Sequence, residues 1–292
     1  MKMGKNWVHV VVACEPETVD DLAAHIAEGL RVGVEVGERS VQFYLEEDGC
    51  TADWEQELQE ILDDFRTLMH VDEPLSFTCS KFLEEDWAER WKVHFKPLRV
   101  GKRFIVSPTW EKVDSKPGDR VIRINPGRAF GTGHHETTRL CLQWMEGWEK
   151  EAGSLEGKSL LDVGTGSAIL AIGAALMGCR PVVGVDNDPE AIEVATEDIE
   201  INGLNDVLEL KTGTAGDVKG AFDAVVANIQ AFPLIDMAHV LTKRVKSGGA
   251  LALSGILIEQ GAVVQAAYEQ EGLSLLYAKD DGEWRLLAFR KP

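Results

Sequence analysis

Gly164, Gly166 and Asp186 are the residues whose types and spacing point most directly to chemistry. The stretch Leu160-Leu161-Asp162-Val163-Gly164-Thr165-Gly166-Ser167-Ala168 reads as an apolar strand entering a glycine-rich turn, with a helix expected from Ile169 to Met177. Val182-Val183-Gly184-Val185-Asp186 reads as a second apolar strand ending in an acid, and Asp186 lies 22 positions beyond Gly164. Such a unit binds a nucleoside. Its glycines let a ligand approach the backbone, and its acid accepts hydrogen bonds from a ribose diol. The third small residue narrows the ligand. A dinucleotide fingerprint wants glycine at position 169, which is Ile169, whereas the small residues here fall at 164, 166 and 168. That tighter spacing suits S-adenosylmethionine, which has no pyrophosphate to seat on the helix terminus. The competing reading of Asp186 is a cap for a helix starting near Pro189.

Two further segments belong at the carboxyl ends of strands, where open α/β sheets bind ligands. Asn228-Ile229-Gln230-Ala231-Phe232-Pro233-Leu234 follows an apolar strand expected over 221–227. That strand should neighbour the one bearing the glycine turn. The Asn228 amide offers one acceptor and two donors, suited to aligning an amine with a cofactor. The alternative is a cap on the next helix. Asn125 to Thr138 carries Gly127, Gly131, Gly133 and Phe130 ahead of a helix expected over 138–148, with Thr137 or Thr138 as its N-cap. A cap alone does not explain the glycines and phenylalanine upstream. His134-His135-Glu136 invites a metal reading, but adjacent histidines on a turn rarely share an ion and no third ligand is suitably spaced, so no metal is expected.

The elements that must position these residues form an α/β protein. Residues 6–80 read as strand, helix, two strands, helix, strand, with amphipathic stripes at Leu22, Ile26 and Leu30 and at Leu58, Ile61, Leu62 and Phe65. That βαββαβ order is a small ferredoxin-like α+β module, placed at 1–80. An acidic segment with Trp87 and Trp91 reads as a linker helix, and 104–106 with 121–124 as a strand pair, so 81–125 connects the two parts. From 126 to 292 a doubly wound sheet is expected. It ends in strands at 273–278 and 284–289 around Lys279-Asp280-Asp281-Gly282-Glu283, an antiparallel hairpin. A parallel sheet finished by a hairpin is the class I methyltransferase pattern.

The 292 residues carry a net charge of −19, which argues against an electrostatic footprint on nucleic acid and permits a basic protein partner. Five scattered cysteines without a CxxC spacing give neither a zinc site nor a disulfide framework. No apolar run reaches membrane-spanning length, and the N-terminus has no signal-peptide core, so a cytoplasmic location is expected.

Together the motifs resemble the ribosomal protein L11 methyltransferase family. The matching segments are Pro126-Gly127-Arg128-Ala129-Phe130-Gly131-Thr132-Gly133-His134, Asp162 to Ser167, Asn228-Ile229-Gln230-Ala231 and Ser254-Gly255-Ile256-Leu257. The resemblance implies S-adenosylmethionine as cofactor, contacted by Thr138, Gly164, Asp186 and Asn228. It extends the cofactor-binding set to Phe130, Gly131, Thr132 and Gly166. It further implies that lysine or N-terminal amines of L11 are methylated, up to three times, and that the N-terminal module recognises that substrate. Asn228 is the residue expected to position the amine. The chain departs from the family's usual residues at Ala168, where glycine is common, and at Gln230 and Phe232. Three rival readings are a methyltransferase for another protein, such as the electron-transfer flavoprotein β-subunit, a nucleotide-dependent oxidoreductase and a non-catalytic adapter. Ile169 and the hairpin count against the oxidoreductase, and the retained Asn228 and Phe130 loop against the adapter.

Overall fold

The structure, a computed structural model, describes residues 6–30, 32–37, 39–46, 54–69, 74–83, 95–125 and 136–292. The chain divides into two compact units, Met1–His94 and Phe95–Pro292.

In the first unit the strands are β1 (Asn6–Ala13), β2 (Val34–Val36), β3 (Ser40–Glu46) and β4 (Phe77–Leu83). Helix α1 (Val19–Leu30) follows β1, and α2 (Trp54–Met69) follows β3. The sheet order is β2-β3-β1-β4, antiparallel throughout, which is the ferredoxin-like order. Strand alternation explains the core: Val8, Val10 and Val12 are buried while Trp7, His9 and Val11 are only half-buried. Leu22 and Ile26 of α1 and Leu58, Leu62 and Phe65 of α2 close over that face. The last strand runs later than the expected 75–79, because β1 begins at Asn6 and pairs it with Leu83. The expected linker helix with Trp87 and Trp91 lies outside the described residues.

The second unit opens with β5 (Leu98–Val100), β6 (Phe104–Pro108) and β7 (Arg120–Ile124), a three-stranded sheet of its own. These strands, expected as part of a connector, belong to the larger unit. Then come α3 (Glu136–Ala152), β8 (Leu160–Val163), α4 (Ile169–Leu176), β9 (Val182–Asp186), α5 (Pro189–Ile201) and β10 (Leu208–Thr212). The rest is β11 (Phe222–Asn228), α6 (Ala231–Asp236), α7 (Ala238–Arg244), β12 (Val245–Leu257), α8 (Gly261–Gln270), β13 (Ser274–Asp281) and β14 (Trp284–Arg290). The main sheet runs β10-β9-β8-β11-β12-β14-β13, and β14 alone opposes the others. Successive residues feed opposite layers. Leu160, Ala224 and Val226 pack with α3 and α4, while Leu161, Val225 and Ala227 pack with α6, α7 and α8. The expected fold, a doubly wound class I methyltransferase sheet with a terminal hairpin, is what the second unit shows. β12 starts five residues before the expected 250. Ser247-Gly248-Gly249 interrupts its apolar run, and the β11–β12 register shifts there. Among the described residues no helix is long and apolar enough to cross a membrane.

Candidate active site

The order of the main sheet reverses between β8 and β11, so the loops after these strands diverge and leave a crevice. The glycine turn forms one wall. Gly164 has φ +70°, and its N–H and that of Thr165 donate to Val185 O at 2.9 and 3.1 Å. Gly166 N donates to Asp186 Oδ2 at 2.9 Å, so the acid ending β9 also ties down the turn. Asp186 Oδ1 accepts from Asp188 N at 3.1 Å. The cap of α5 is Asp188, whose side chain accepts from Glu190 N at 2.9 Å. That excludes Asp186 as the cap and leaves its carboxylate on the crevice.

Ala168, where the resemblance leads one to expect glycine, has φ +59° and is fully buried at the head of α4. A left-handed conformation costs a residue with a Cβ about 1–2 kcal/mol, which accounts for a preference for glycine at that place.

Asn228 ends β11. The N-cap of α6 is Gln230, two residues on, so Asn228 caps nothing. Its Nδ2 lies 3.5 Å from Thr138 Oγ1, and its Oδ1 is buried without a hydrogen-bond partner. A buried carbonyl oxygen without a donor costs about 1–3 kcal/mol, so this orphan marks where a ligand donor belongs. The cap expected at Thr137 or Thr138 is not there. Helix α3 already includes Glu136, and both threonines are buried in its first turn. Thr137 O accepts from Ser254 Oγ at 3.2 Å, bringing that turn against β12.

These pieces enclose one cleft of about 610 Å³. Thr138, Gly164, Gly166, Asp186 and Asn228 all border it. Phe130, Gly131, Thr132 and the His134-His135 pair lie outside the described residues. Three contributors escaped the sequence reading. Thr214 borders the cleft just beyond β10, and the rule that ligands sit at strand carboxyl ends would have found it. Trp284 reaches the cleft from β14, 120 positions from Gly164, and no local signal announces it. Asp162 braces the turn from below, accepting from Thr165 Oγ1 at 2.7 Å and Ala171 N at 3.1 Å. Burial pushes its carboxyl up to about 7, against the pull of those two hydrogen bonds.

Gly255 shows how tightly the Asn228 turn is held. Its φ is +80°, and a Cβ there would lie 2.5 Å from Ile229 O and 2.9 Å from its carbonyl carbon. Backbone cannot swing aside as a side chain can. Gly255→Ala therefore combines a left-handed strain of about 1–2 kcal/mol with overpacking of about 1–3 kcal/mol. The expected result is a melting temperature lower by roughly 10 °C, at about 2–4 °C per kcal/mol for a unit of this size. A shift below about 2 °C in a thermal melt would show that the turn is not pinned.

Residues 6–292 match the family described as ribosomal protein L11 methyltransferase (PrmA). The ribosomal protein L11 methyltransferase of Pelobacter propionicus is 36% identical over 308 aligned residues, covering 99% of both chains. That of Geobacter sp. strain M21 is 49% identical over 210 residues, 71% of this chain and 68% of the relative. The crystal structure of ribosomal protein L11 methylase from Lactobacillus delbrueckii subsp. bulgaricus superposes with a TM-score of 0.61 at 30% identity, covering 68% of this chain and all of that one. A switch-point cleft with a glycine turn, an acid and an unpaired asparagine carbonyl, in a chain matched along nearly its whole length, places this protein in the ribosomal protein L11 methyltransferase family, whose members move methyl groups from S-adenosylmethionine to ribosomal protein L11.

Proposed function

We propose that the cleft holds S-adenosylmethionine between the glycine turn, Asp186 and the first turn of α3, and that Asn228 aims the acceptor amine. The observation that carries this reading is the buried, unpaired Oδ1 of Asn228 at the switch point. When bound, the cofactor supplies an electrophilic methyl carbon on a cationic sulfonium. Gly164 admits it close to the backbone, because a Cβ there would lie 2.4 Å from the Ile229 side chain and fill the approach. Asp186 keeps a free lone pair on each oxygen beyond the two backbone N–H groups it already accepts, enough for two ribose hydroxyls.

The acceptor is a lysine ε-amine or an N-terminal amine of L11, methylated up to three times. A lysine is neutral in only about 1 part in 2,500 at pH 7, which is about 4.6 kcal/mol uphill. Desolvation in the cleft lowers that cost, and Asn228 Oδ1 accepts one amine N–H so that the lone pair points along the cleft. The Trp284 ring gives the aliphatic stem an apolar wall. Among the described residues no strong base borders the site, and positioning supplies most of the acceleration while water removes the proton. The first unit recognises the substrate protein, and the charge of −19 favours a basic ribosomal protein over nucleic acid. The reaction belongs in the cytoplasm, where ribosomal proteins are made.

Asp186→Ala is expected to weaken S-adenosylmethionine binding by roughly 1–3 kcal/mol, the scale of lost charge-assisted hydrogen bonds. Titration calorimetry reads this directly. Wild-type affinity in the variant would remove Asp186 from the ribose. Labelled S-adenosylmethionine with purified L11, followed by mapping of the labelled residues, decides which amines are modified.

A further inference from the structure

Helix α3 carries Arg139, Gln143, Gly147 and Glu151 at intervals of four, and residues so spaced share one face of a helix. Each of the four meets the C-terminal hairpin. Arg139 donates to Asp281 Oδ2 through Nη2 at 2.9 Å and Nε at 3.2 Å. Lys279 Nζ donates to Gln143 Oε1 at 2.5 Å. A Cβ at Gly147 would lie 3.9 Å from the Tyr277 hydroxyl. Arg290 pairs with Glu151. On β13 the first three contacts use residues 281, 279 and 277, alternate positions that share one side of a strand. A ladder of contacts therefore runs the length of α3, and Arg139 in its first rung is next in sequence to Thr138, which borders the cleft. Arg139 also donates to Glu136 Oε1 at 3.2 Å, in the turn that carries Thr138. Asp281 ends the strand three residues before Trp284, which borders the cleft.

We infer that the Arg139–Asp281 rung is a positioning pair for methyl transfer: it sets the Trp284 wall of the cleft against the Thr138 wall. The inference rests on the reading of the cleft given above. Two properties of the rung carry it. The pair is only partly buried, with side-chain exposures of 25% and 35%, so it contributes little to global stability. Its two N–H groups converge on one carboxylate oxygen, which fixes direction as well as distance. Asp281 lies on the edge strand β13, six of whose eight residues are exposed, while Trp284 is held in the sheet by its pairing with Leu257 of β12. The rung ties the first turn of α3 to the strand end that turns into Trp284.

The test separates rungs by their distance from the cleft. Arg139→Gln and Asp281→Asn are each expected to lower kcat/KM for L11 about tenfold, with a raised KM for S-adenosylmethionine and a melting temperature within a few degrees of wild type. The double variant should be no worse than either single one, since both remove the same interaction. Arg139→Lys keeps the charge but loses the two-donor geometry, and it should recover only part of the activity. Arg290→Gln breaks the far rung and should change neither KM nor kcat, with melting again within a few degrees of wild type. Wild-type kinetics in both near-rung variants, or an equal kinetic effect from Arg290→Gln, overturns the inference. The Asp186→Ala calorimetry judges the cleft reading separately. If that variant loses affinity while the near-rung variants stay fully active, the rung fails and the cleft reading stands.

Discussion

Asn228→Ala is expected to slow single-turnover methylation of L11 about 100-fold at saturating cofactor, with a much smaller effect on cofactor affinity. The argument rests on where the side chain stands. Asn228 closes β11 beside the glycine turn, its Nδ2 3.5 Å from Thr138 Oγ1 and its Oδ1 buried without a donor. An acceptor left unpaired in the free protein is one whose partner arrives with the ligand. Removing it leaves the amine in the cleft but no longer aligned, and misplacement on the scale of 1 Å costs about 100-fold. That loss falls on kcat, because orientation is realised in the transition state. The fold should survive. The Nδ2 contact to Thr138 is long, and removing an orphan acceptor relieves a penalty rather than creating one. Melting measured in parallel separates the two effects. Wild-type turnover would leave the amine-positioning group to be found elsewhere, with backbone oxygens of the same turn the first candidates. An equal loss in Asn228→Asp, which keeps an acceptor oxygen but adds charge, would show that the neutral amide is required.

The parts of this site that were legible in the sequence are the local ones. A glycine turn between an apolar strand and a helix, an acid at the end of the next strand and an Asp-Gly hairpin each depend on residues within a few positions of one another. Their physics is short-range, so the pattern carries it. What stayed hidden depends on pairing across the chain. The length of β12 is set by its neighbours β11 and β14, which override Gly248 and Gly249. The three-residue β5 is too short to show a period, and it exists because β6 pairs with it. Thr138 borders the cleft, but it is not the helix cap that its type suggests. Helix α3 starts two residues earlier than the threonine pattern suggests, so both threonines sit inside the first turn and face the sheet. Asp186 and Asp188 show the converse. Two acids two positions apart both suit a cap by type, and only the geometry assigns the cap to Asp188 and the crevice to Asp186.

Removing residues 1–94 is expected to leave S-adenosylmethionine affinity within about twofold of the full chain. It should lower kcat/KM for intact L11 by about 10²–10⁴-fold. Two physical points set these opposite expectations. Every described residue bordering the cleft lies between Thr137 and Trp284, inside the second unit, and that unit has its own buried layers on both faces of a seven-stranded sheet. It therefore has the means to fold and bind the cofactor alone. On the proposed reading, however, the cleft takes one amine-bearing side chain of the substrate. Recognition of a whole ribosomal protein needs a second surface, and the first unit offers one. Glu55, Glu57, Glu60, Asp63 and Asp64 are exposed along α2, a helix whose opposite stripe holds the core. An acidic face suits a basic protein, and a covalent connection to the cleft turns docking of the target amine into an intramolecular event. Losing that connection forfeits the effective concentration it provides, which is the source of the 10²–10⁴ factor. Calorimetry with S-adenosylmethionine and methyl incorporation into L11 measure the two halves, and a cooperative melt establishes that the truncated unit is folded. A folded second unit that methylates L11 at the full-length rate would remove the recognition role from the first unit. The acidic face of α2 would then be a solvated surface only.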